Sequence, residues 1–280
     1  MKCLIHDLPV YYEDYGKGTP IICLHGYTLD HRMMSGCLEP IFSRPEYSDL
    51  YRRIYLDLPG MGQTPAAKWI KNADNVLDIL TEFINIIIPD ENFLIAGESF
   101  GAYLSLGLIH NMKDKINGAL LICPQIKSWI MNRIEKEKLP GKKLLFMSAD
   151  MPSANDDPDV NEYLSFAVIA TPHNLNRTKA DILAGIKIAD NDFLFNYFDG
   201  AYSHDFEASL RVMEFDKPSL IFTGRQDNAV GFLDAFDLFK RFSRATFVAA
   251  DGGGHNAHIE CETVLSPMVM DWITRLEREK

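Results

Sequence analysis

Short apolar runs that alternate with helical segments restrict the fold of this chain more than any other feature. The runs lie at Pro20–Leu24, Arg53–Leu58, Phe93–Ala96 and Gly118–Pro124, and helical patterns separate them. Consecutive apolar residues are typical of a strand that is buried on both faces. Strands that alternate with helices form a parallel sheet covered by helices on both sides. The pattern therefore predicts an α/β fold with a mostly parallel central sheet.

The alternation stops at about residue 125 and returns near residue 215. The segment in between is rich in turn-forming and aromatic residues, and its helical patterns are short. Apolar strand patterns resume at Pro218–Thr223 and Ala245–Ala250. We therefore predict a core domain formed by residues 1–124 and 215–280, with a mostly helical cap inserted at 125–214.

The two ends of the chain carry further local patterns. Residues 3–7 and 9–15 have the pattern of two antiparallel edge strands around a turn at Leu8-Pro9. A helix is expected over about 260–277. His258 is interpreted as a polar residue at the start of that helix.

The apolar run Phe93–Ala96 leads into the pentapeptide Gly-Glu-Ser-Phe-Gly, with Ser99 at its centre. A Gly-x-Ser-x-Gly sequence arises by chance in roughly one chain in ten of this length, so the pentapeptide alone is weak. The strand before it and the helical pattern after it make it specific, because a serine on a sharp strand-to-helix turn needs glycine on both sides. Such a turn exposes the hydroxyl at the carboxyl edge of the sheet. The first N–H groups of the helix then face any negative charge that develops there.

A serine hydroxyl attacks carbonyl carbon only when a base removes its proton and a third group orients that base. Asp227 follows the predicted strand that ends at Thr223-Gly224, and His255 follows the last predicted strand. Both lie at carboxyl ends of strands, where doubly wound sheets place their sites. The order Ser, Asp, His along the chain is the order found in one hydrolase architecture.

With these motifs the chain resembles the α/β-hydrolase family over nearly its whole length. The resemblance also includes His25-Gly26-Tyr27 after the third strand and the segment Asp57–Gly62. It implies the α/β-hydrolase fold with a cap insertion. The iminopeptidase branch of the family carries a Gly-Gly-x-Pro run and a Trp after the nucleophile, whereas this chain has Gly26-Tyr27-Thr28 and Phe100 there.

The resemblance implies a role for each of five residues. Ser99 would be the nucleophile, His255 the general base and then acid, and Asp227 the residue that orients His255. The backbone N–H groups of Tyr27 and Phe100 would form an oxyanion hole. No cofactor and no metal is implied.

Four residues, Asp57, Glu98, His255 and His258, have competing interpretations. Asp57 is interpreted as an aspartate that stabilises a sharp turn before Pro-Gly, because a nucleophilic aspartate would occupy the position of Ser99. Glu98 either tunes the site or binds loop N–H groups, and the sequence leaves both open. His255 and His258 have the spacing of a metal pair, but no third ligand at matching spacing accompanies them.

The expected function is that of a cofactor-independent serine hydrolase that cleaves a small to medium carboxylic ester through an acyl-enzyme on Ser99. A peptidase or amidase similar to proline iminopeptidase, or a carbon–carbon bond hydrolase, is the alternative enzyme. A ligand-binding receptor or pseudo-enzyme on the same fold is the alternative of another class.

Composition limits the partners and the compartment. The net charge of −11 argues against nucleic acid and an anionic membrane surface, so we expect a small-molecule substrate, and a homodimer is left open. The five cysteines are odd in number and widely spaced, as in a reduced protein. No apolar run reaches the length of a membrane span, and the first residues lack the apolar core of a signal peptide. We therefore expect a cytoplasmic protein.

Overall fold

The structure is a computed structural model, and it describes residues 1–126, 143–153, 155, 157–197, 206–210 and 212–279. Its main feature is an eight-stranded sheet. The strands are β1 (Lys2–Ile5), β2 (Leu8–Gly16), β3 (Thr19–Leu24), β4 (Tyr51–Leu56), β5 (Phe93–Glu98), β6 (Ile116–Ile122), β9 (Ser219–Gly224) and β10 (Ala245–Ala250). They lie in the order β1-β2-β4-β3-β5-β6-β9-β10, in which the first three are antiparallel neighbours and all the others pair in parallel. The prediction of a mostly parallel central sheet is confirmed.

Helices cover both faces of this sheet, and two separate apolar clusters fill the space between helices and strands. The long helices are α1 (His31–Phe42), α2 (Ala73–Ile87), α3 (Phe100–Met112) and, at the end of the chain, α10 (Glu262–Glu277), and the short α8 (Leu233–Phe239) lies between β9 and β10. Asn72 caps α2, since its side chain accepts a hydrogen bond from the N–H of Asn75. Among the described residues, no helix combines the length and the apolar composition that crossing a membrane would require.

The described residues between β6 and β9 form short elements. They include a parallel pair of two-residue strands, which stands apart from the main sheet. Two π-helical turns also occur in this part of the chain. The elements are β7 (Phe146–Met147), α4 (Asp159–Phe166), β8 (Ile169–Ala170), α5 (Pro172–Thr178), a π-helical turn (Lys179–Leu183), α6 (Ala184–Ile186), a second π-helical turn (Phe193–Tyr197) and α7 (Glu207–Leu210). Part of the cap predicted at 125–214 lies outside the described residues, so its bounds stay a prediction.

The predicted turn of the first hairpin was wrong. The turn lies at His6-Asp7, and Pro9 belongs to β2, where it pairs with Leu4. A proline fits a strand where one edge has no neighbour, because it lacks an N–H to donate. That condition holds here, since β4 pairs with β2 only from Tyr12 onward.

Two buried strands begin and end two residues earlier than predicted. β4 ends at Leu56 because the N–H of Leu58 donates to Nε2 of His25 and not to a strand. β6 ends at Ile122 because Cys123 adopts a φ of +41°, which leaves the extended conformation. The final helix also begins later, and a separate short helix, α9 (Ala257–Glu260), precedes it.

Candidate active site

Ser99 lies at the corner between β5 and α3, at the carboxyl edge of the sheet. Its φ of +49° and ψ of −111° form a strained conformation for a residue with a side chain. Its carbonyl oxygen accepts hydrogen bonds from the N–H groups of Tyr103 and Gln125, which hold the corner in place. The side chain is nearly buried, although the residue lines a cavity.

The glycines on either side of this corner are required by close backbone contacts. A Cβ on Gly97 would lie 2.5 Å from the carbonyl oxygen of Gly101, and a Cβ on Gly101 would lie 2.1 Å from the carbonyl oxygen of Leu24. Atoms cannot approach so closely without moving the backbone of a central strand. The expected steric reason for the Gly-x-Ser-x-Gly spacing is therefore present in the structure.

The structure brings Ser99, His255 and Asp227 together. Asp227 follows β9 and His255 follows β10, so all three residues meet at one edge of the sheet. Nε2 of His255 lies 2.9 Å from Oγ of Ser99, and Nδ1 of His255 lies 2.9 Å from Oδ2 of Asp227. This is the geometry in which an imidazole accepts a hydroxyl proton while a carboxylate orients the ring.

The charges in this group stabilise one another. Burial alone would favour a neutral Asp227, but His255 and the N–H groups of Val230 and Ala229 hold the pKa of its carboxyl below the ordinary value. Burial also disfavours a charged His255, yet Asp227, its hydrogen bond and Glu98 raise the pKa of the imidazole to about 9. The surroundings of His255 therefore favour its protonated form, which is the form that accepting a proton from a hydroxyl would produce.

The loop after β3 approaches the same corner and carries Tyr27. His25 stabilises this loop, because its Nδ1 lies 2.8 Å from the carbonyl oxygen of Gly26 while its Nε2 accepts from the N–H of Leu58. These two bonds suit a neutral imidazole, and burial lowers the pKa of His25. Tyr27 lines the cavity, and Phe100 follows Ser99 as the first residue of α3. The role of their backbone N–H groups as an oxyanion hole stays a prediction.

A cavity of about 530 Å³ opens above Ser99. Most of its described lining is apolar, and no lysine or arginine is among the described lining residues. The polar groups include Thr28, Gln125 and Asn228. Its apolar side chains from the segment between β6 and β9 are Phe166, Ile182, Ile186, Leu194 and Phe195. A cavity of this size and lining suits a small organic molecule.

The sequence reasoning did not find Glu260, which holds the loop that carries His255. One carboxylate oxygen of Glu260 accepts from the N–H of Gly254, and the other accepts from the N–H groups of Val168 and Ile169. The side chain thereby joins the His255 loop to the segment between β6 and β9. Nothing in the local sequence signals this role, because the three N–H groups belong to two segments, at Gly254 and at Val168–Ile169, that are far apart in the chain.

Two further residues, Glu98 and His258, are buried beside the site. The sequence left the role of Glu98 open, and it placed His258 in the wrong helix. Glu98, only 1% exposed, has Oε1 3.6 Å from Nε2 of His255. His258 was expected at the start of the last helix, but it lies in α9 and is 1% exposed. Neither of its ring nitrogens has a hydrogen-bond partner among the described residues, and burial lowers the pKa of His258 to about 3.

Two groups of described residues have the composition of metal ligands, Cys123 with Asp227 and His255, and Asp30 with His31 and Asp57. In the first, burial raises the pKa of the Cys123 thiol well above its ordinary value, which opposes formation of a metal-binding thiolate. In the second, one oxygen of the Asp57 carboxylate already accepts from the backbone and ring of His31. Neither group has the donor set of a prepared metal site.

Residues 19–261 match the family model of the alpha/beta hydrolase fold, which covers well over half of the chain. The chain belongs to the α/β-hydrolase fold family. A crystal structure of an alpha/beta superfamily hydrolase from Oenococcus oeni PSU-1 is similar over 96% of both chains, with a TM-score of 0.86 and 29% sequence identity. The family and the fold expected from the motifs are therefore confirmed.

Curated relatives include proteins named as esterases. The pimeloyl-(acyl-carrier protein) methyl ester esterase of Legionella pneumophila (strain Corby) is 34% identical over 92 residues, which is 33% of this chain and 32% of the relative. The chain thus matches about a third of the length of that esterase. The AB hydrolase superfamily protein YisY of Bacillus subtilis (strain 168) is 23% identical over 278 residues, 93% of each chain.

Proposed function

We propose that this protein is a cofactor-independent serine hydrolase that cleaves small to medium carboxylic esters through an acyl-enzyme on Ser99. The observation that carries the proposal is the pair of 2.9 Å contacts that join Ser99 to His255 and His255 to Asp227 at the base of the cavity. A hydroxyl, an imidazole and a carboxylate in this arrangement have the parts needed for nucleophilic catalysis.

In the proposed reaction, Oγ of Ser99 attacks the ester carbonyl while Nε2 of His255 takes the hydroxyl proton. The carbonyl oxygen becomes an oxyanion beside the backbone N–H groups of Tyr27 and Phe100, and each such donor lowers the barrier by about 3 kcal/mol. His255 then passes the proton to the departing alcohol. Water, activated by the same imidazole, attacks the acyl-enzyme and releases the acid.

The lining of the cavity supports a substrate that is neutral and largely apolar. Its described lining includes no lysine or arginine, and His255 is the lining residue that can carry a positive charge. That imidazolium is already paired with Asp227 and lies beside Glu98, so a free carboxylate or phosphate on the substrate would enter without a cation of its own, which is costly in a largely apolar cavity. The Legionella relative is named as a methyl ester esterase, which supports an ester over an amide.

We further propose that residues 125–214 act as the cap over this cavity. Phe166, Leu194 and Phe195 come from this segment and line the space above the hydroxyl. A cap placed there would select the acyl or alcohol group and exclude water while the substrate is bound.

The test compares wild-type protein with Ser99→Ala on a series of p-nitrophenyl esters of increasing acyl length and on matching anilides. We expect multiple turnovers with the esters, little cleavage of the anilides, and labelling by a fluorophosphonate that Ser99→Ala abolishes. Labelling that persists in Ser99→Ala would refute the role of Ser99. A single stoichiometric burst without turnover would instead support the receptor or pseudo-enzyme alternative.

A further inference from the structure

Glu98 is a buried carboxyl group whose burial the fold alone does not explain. It is the last residue of β5 and is only 1% exposed. Its Oε2 has no hydrogen-bond partner among the described residues. Burying such a group without a partner costs free energy, and an apolar side chain would fill the same place at lower cost.

The surroundings of Glu98 hold the carboxyl close to His255. A Cβ built on Gly26 would lie 2.2 Å from Oε2, so this oxygen packs against the backbone of the loop that carries Tyr27. The other oxygen, Oε1, lies 3.6 Å from Nε2 of His255, which is the nitrogen that also contacts Ser99. The imidazole therefore has a carboxyl group on each side, with Asp227 at Nδ1 and Glu98 at Nε2.

We propose that Glu98 is a positioning residue for His255, a second carboxylate that stabilises the imidazolium from the Nε2 side during acyl transfer. This inference rests on the proposed function. When the O–H bond of Ser99 breaks and the N–H bond at Nε2 forms, the positive charge lies between two carboxylates. The proton next leaves Nε2 for the alkoxide of the departing alcohol, and Glu98 keeps its own protonation state throughout.

Three other titratable groups near His255 and Glu98 are uncharged at neutral pH. Burial raises the pKa of the Cys37 thiol in α1 to about 12 and that of Cys123 after β6 well above its ordinary value. His258 in α9 is neutral, because burial and the nearby Arg177 of α5 lower its pKa. Among the described groups, the charges that act on His255 are those of the two carboxylates.

The ionisation of Glu98 then couples to that of His255. Burial raises the pKa of Glu98 to about 7, with Asp227 acting in the same direction and His255 in the opposite one. Glu98 therefore becomes charged at about neutral pH and above, and its charge increases the basicity of His255. Removing that charge lowers the pKa of His255, which moves the acid limb of the activity profile to lower pH.

The test measures kcat/KM for a p-nitrophenyl ester and the rate of fluorophosphonate labelling as functions of pH in wild type, Glu98→Gln and Glu98→Asp. In Glu98→Gln we expect the acid limb to move down by at least half a pH unit, or about threefold in rate at fixed pH on that limb. Above the limb, the same variant should be at least about threefold slower, because the imidazolium has lost a partner. The pH profiles of wild type and Glu98→Gln should therefore cross, and the profile of Glu98→Asp should lie between them.

Glu91→Gln is the matched control, since it removes one negative charge from an exposed position. Its profile should superimpose on that of the wild type. Superimposable profiles for Glu98→Gln and wild type, or a uniform loss with an unshifted limb, would overturn the inference, as would a shift of equal size in Glu91→Gln. A wild-type protein that no fluorophosphonate labels at any pH would overturn the proposed function itself.

A measurement on the wild type keeps the inference testable if the Glu98 variants do not fold. The nitrogen NMR signals of the His255 side chain should respond to two ionisations between about pH 5 and pH 10, its own and that of Glu98. A single inflection over that range would overturn the coupling.

Discussion

The phenol of Tyr27 donates a hydrogen bond to the backbone carbonyl oxygen of Leu194, with 2.5 Å between the oxygens. Its ring also packs edge-on against Phe100 and Phe195. Tyr27 thus joins the loop beside Ser99 to the segment that lines the opposite side of the cavity. In the proposed reaction its backbone N–H donates to the oxyanion, while its side chain binds a residue of the cavity wall.

Replacing Tyr27 by Phe should reduce kcat/KM for a p-nitrophenyl ester by about three- to tenfold, because one hydrogen bond of about 1 kcal/mol is lost between loop and wall. The backbone N–H and most ring contacts are retained, so labelling of Ser99 should remain complete. Tyr15→Phe is the control, since Tyr15 is exposed at the far end of β2. An unchanged kcat/KM in Tyr27→Phe would show that the bond to Leu194 does not matter for turnover.

Replacing Asp227 by Asn should lower kcat by about 10³- to 10⁴-fold with little change in fold. The remaining amide oxygen can still accept from the N–H groups of Ala229 and Val230, so the loop stays in place. The carboxylate that raises the pKa of His255 is lost, so the acid limb of residual activity should move to lower pH. Circular dichroism checks the fold, and a kcat within tenfold of wild type would contradict the role of Asp227.

Protonation of His258 should destabilise the protein in acid. Burial lowers its pKa to about 3 from an ordinary value of 6.5, so the unfolded chain binds the proton more tightly. The stabilisation is fully present above pH 6.5 and decreases as the pH falls toward 3, by roughly 1.4 kcal/mol for each pH unit.

Urea unfolding of wild type and His258→Leu at several pH values between about 4 and 7 measures this effect. The free energy of unfolding of the variant should depend less steeply on pH, by about one proton. The same pH dependence in both proteins would show that His258 is not the group that titrates.

Replacing Asp57 by Asn should reduce stability and leave the chemistry of Ser99 intact. The buried carboxylate accepts from the N–H and ring of His31 and from the N–H of Gln63. Loss of its charge should lower the free energy of unfolding by about 2–4 kcal/mol, as for other buried charged networks. The folded fraction should still react fully with a fluorophosphonate at low temperature. Folded but unlabelled protein would mean that Asp57 takes part in the reaction.

The mostly parallel sheet and the positions of Ser99, Asp227 and His255 after its strands could be read from the sequence alone. Both depend on short-range patterns. A strand buried on both faces must be apolar along its length, and the sharp turn at Ser99 needs glycine at fixed distances from it. Because parallel strands end at one edge, residues that follow different strands were expected to meet, and the structure places them in contact.

Only the tertiary structure showed that Glu98 faces His255, that Tyr27 binds Leu194, that Glu260 holds the His255 loop and that His258 is buried without a partner. Each of these depends on side-chain direction and on packing between segments that are distant in the chain. Periodicity shows which residues are buried together on a face, but not which atoms from distant segments come into contact. The local pattern therefore determined the framework and the candidate catalytic positions, while packing decided the groups that surround them.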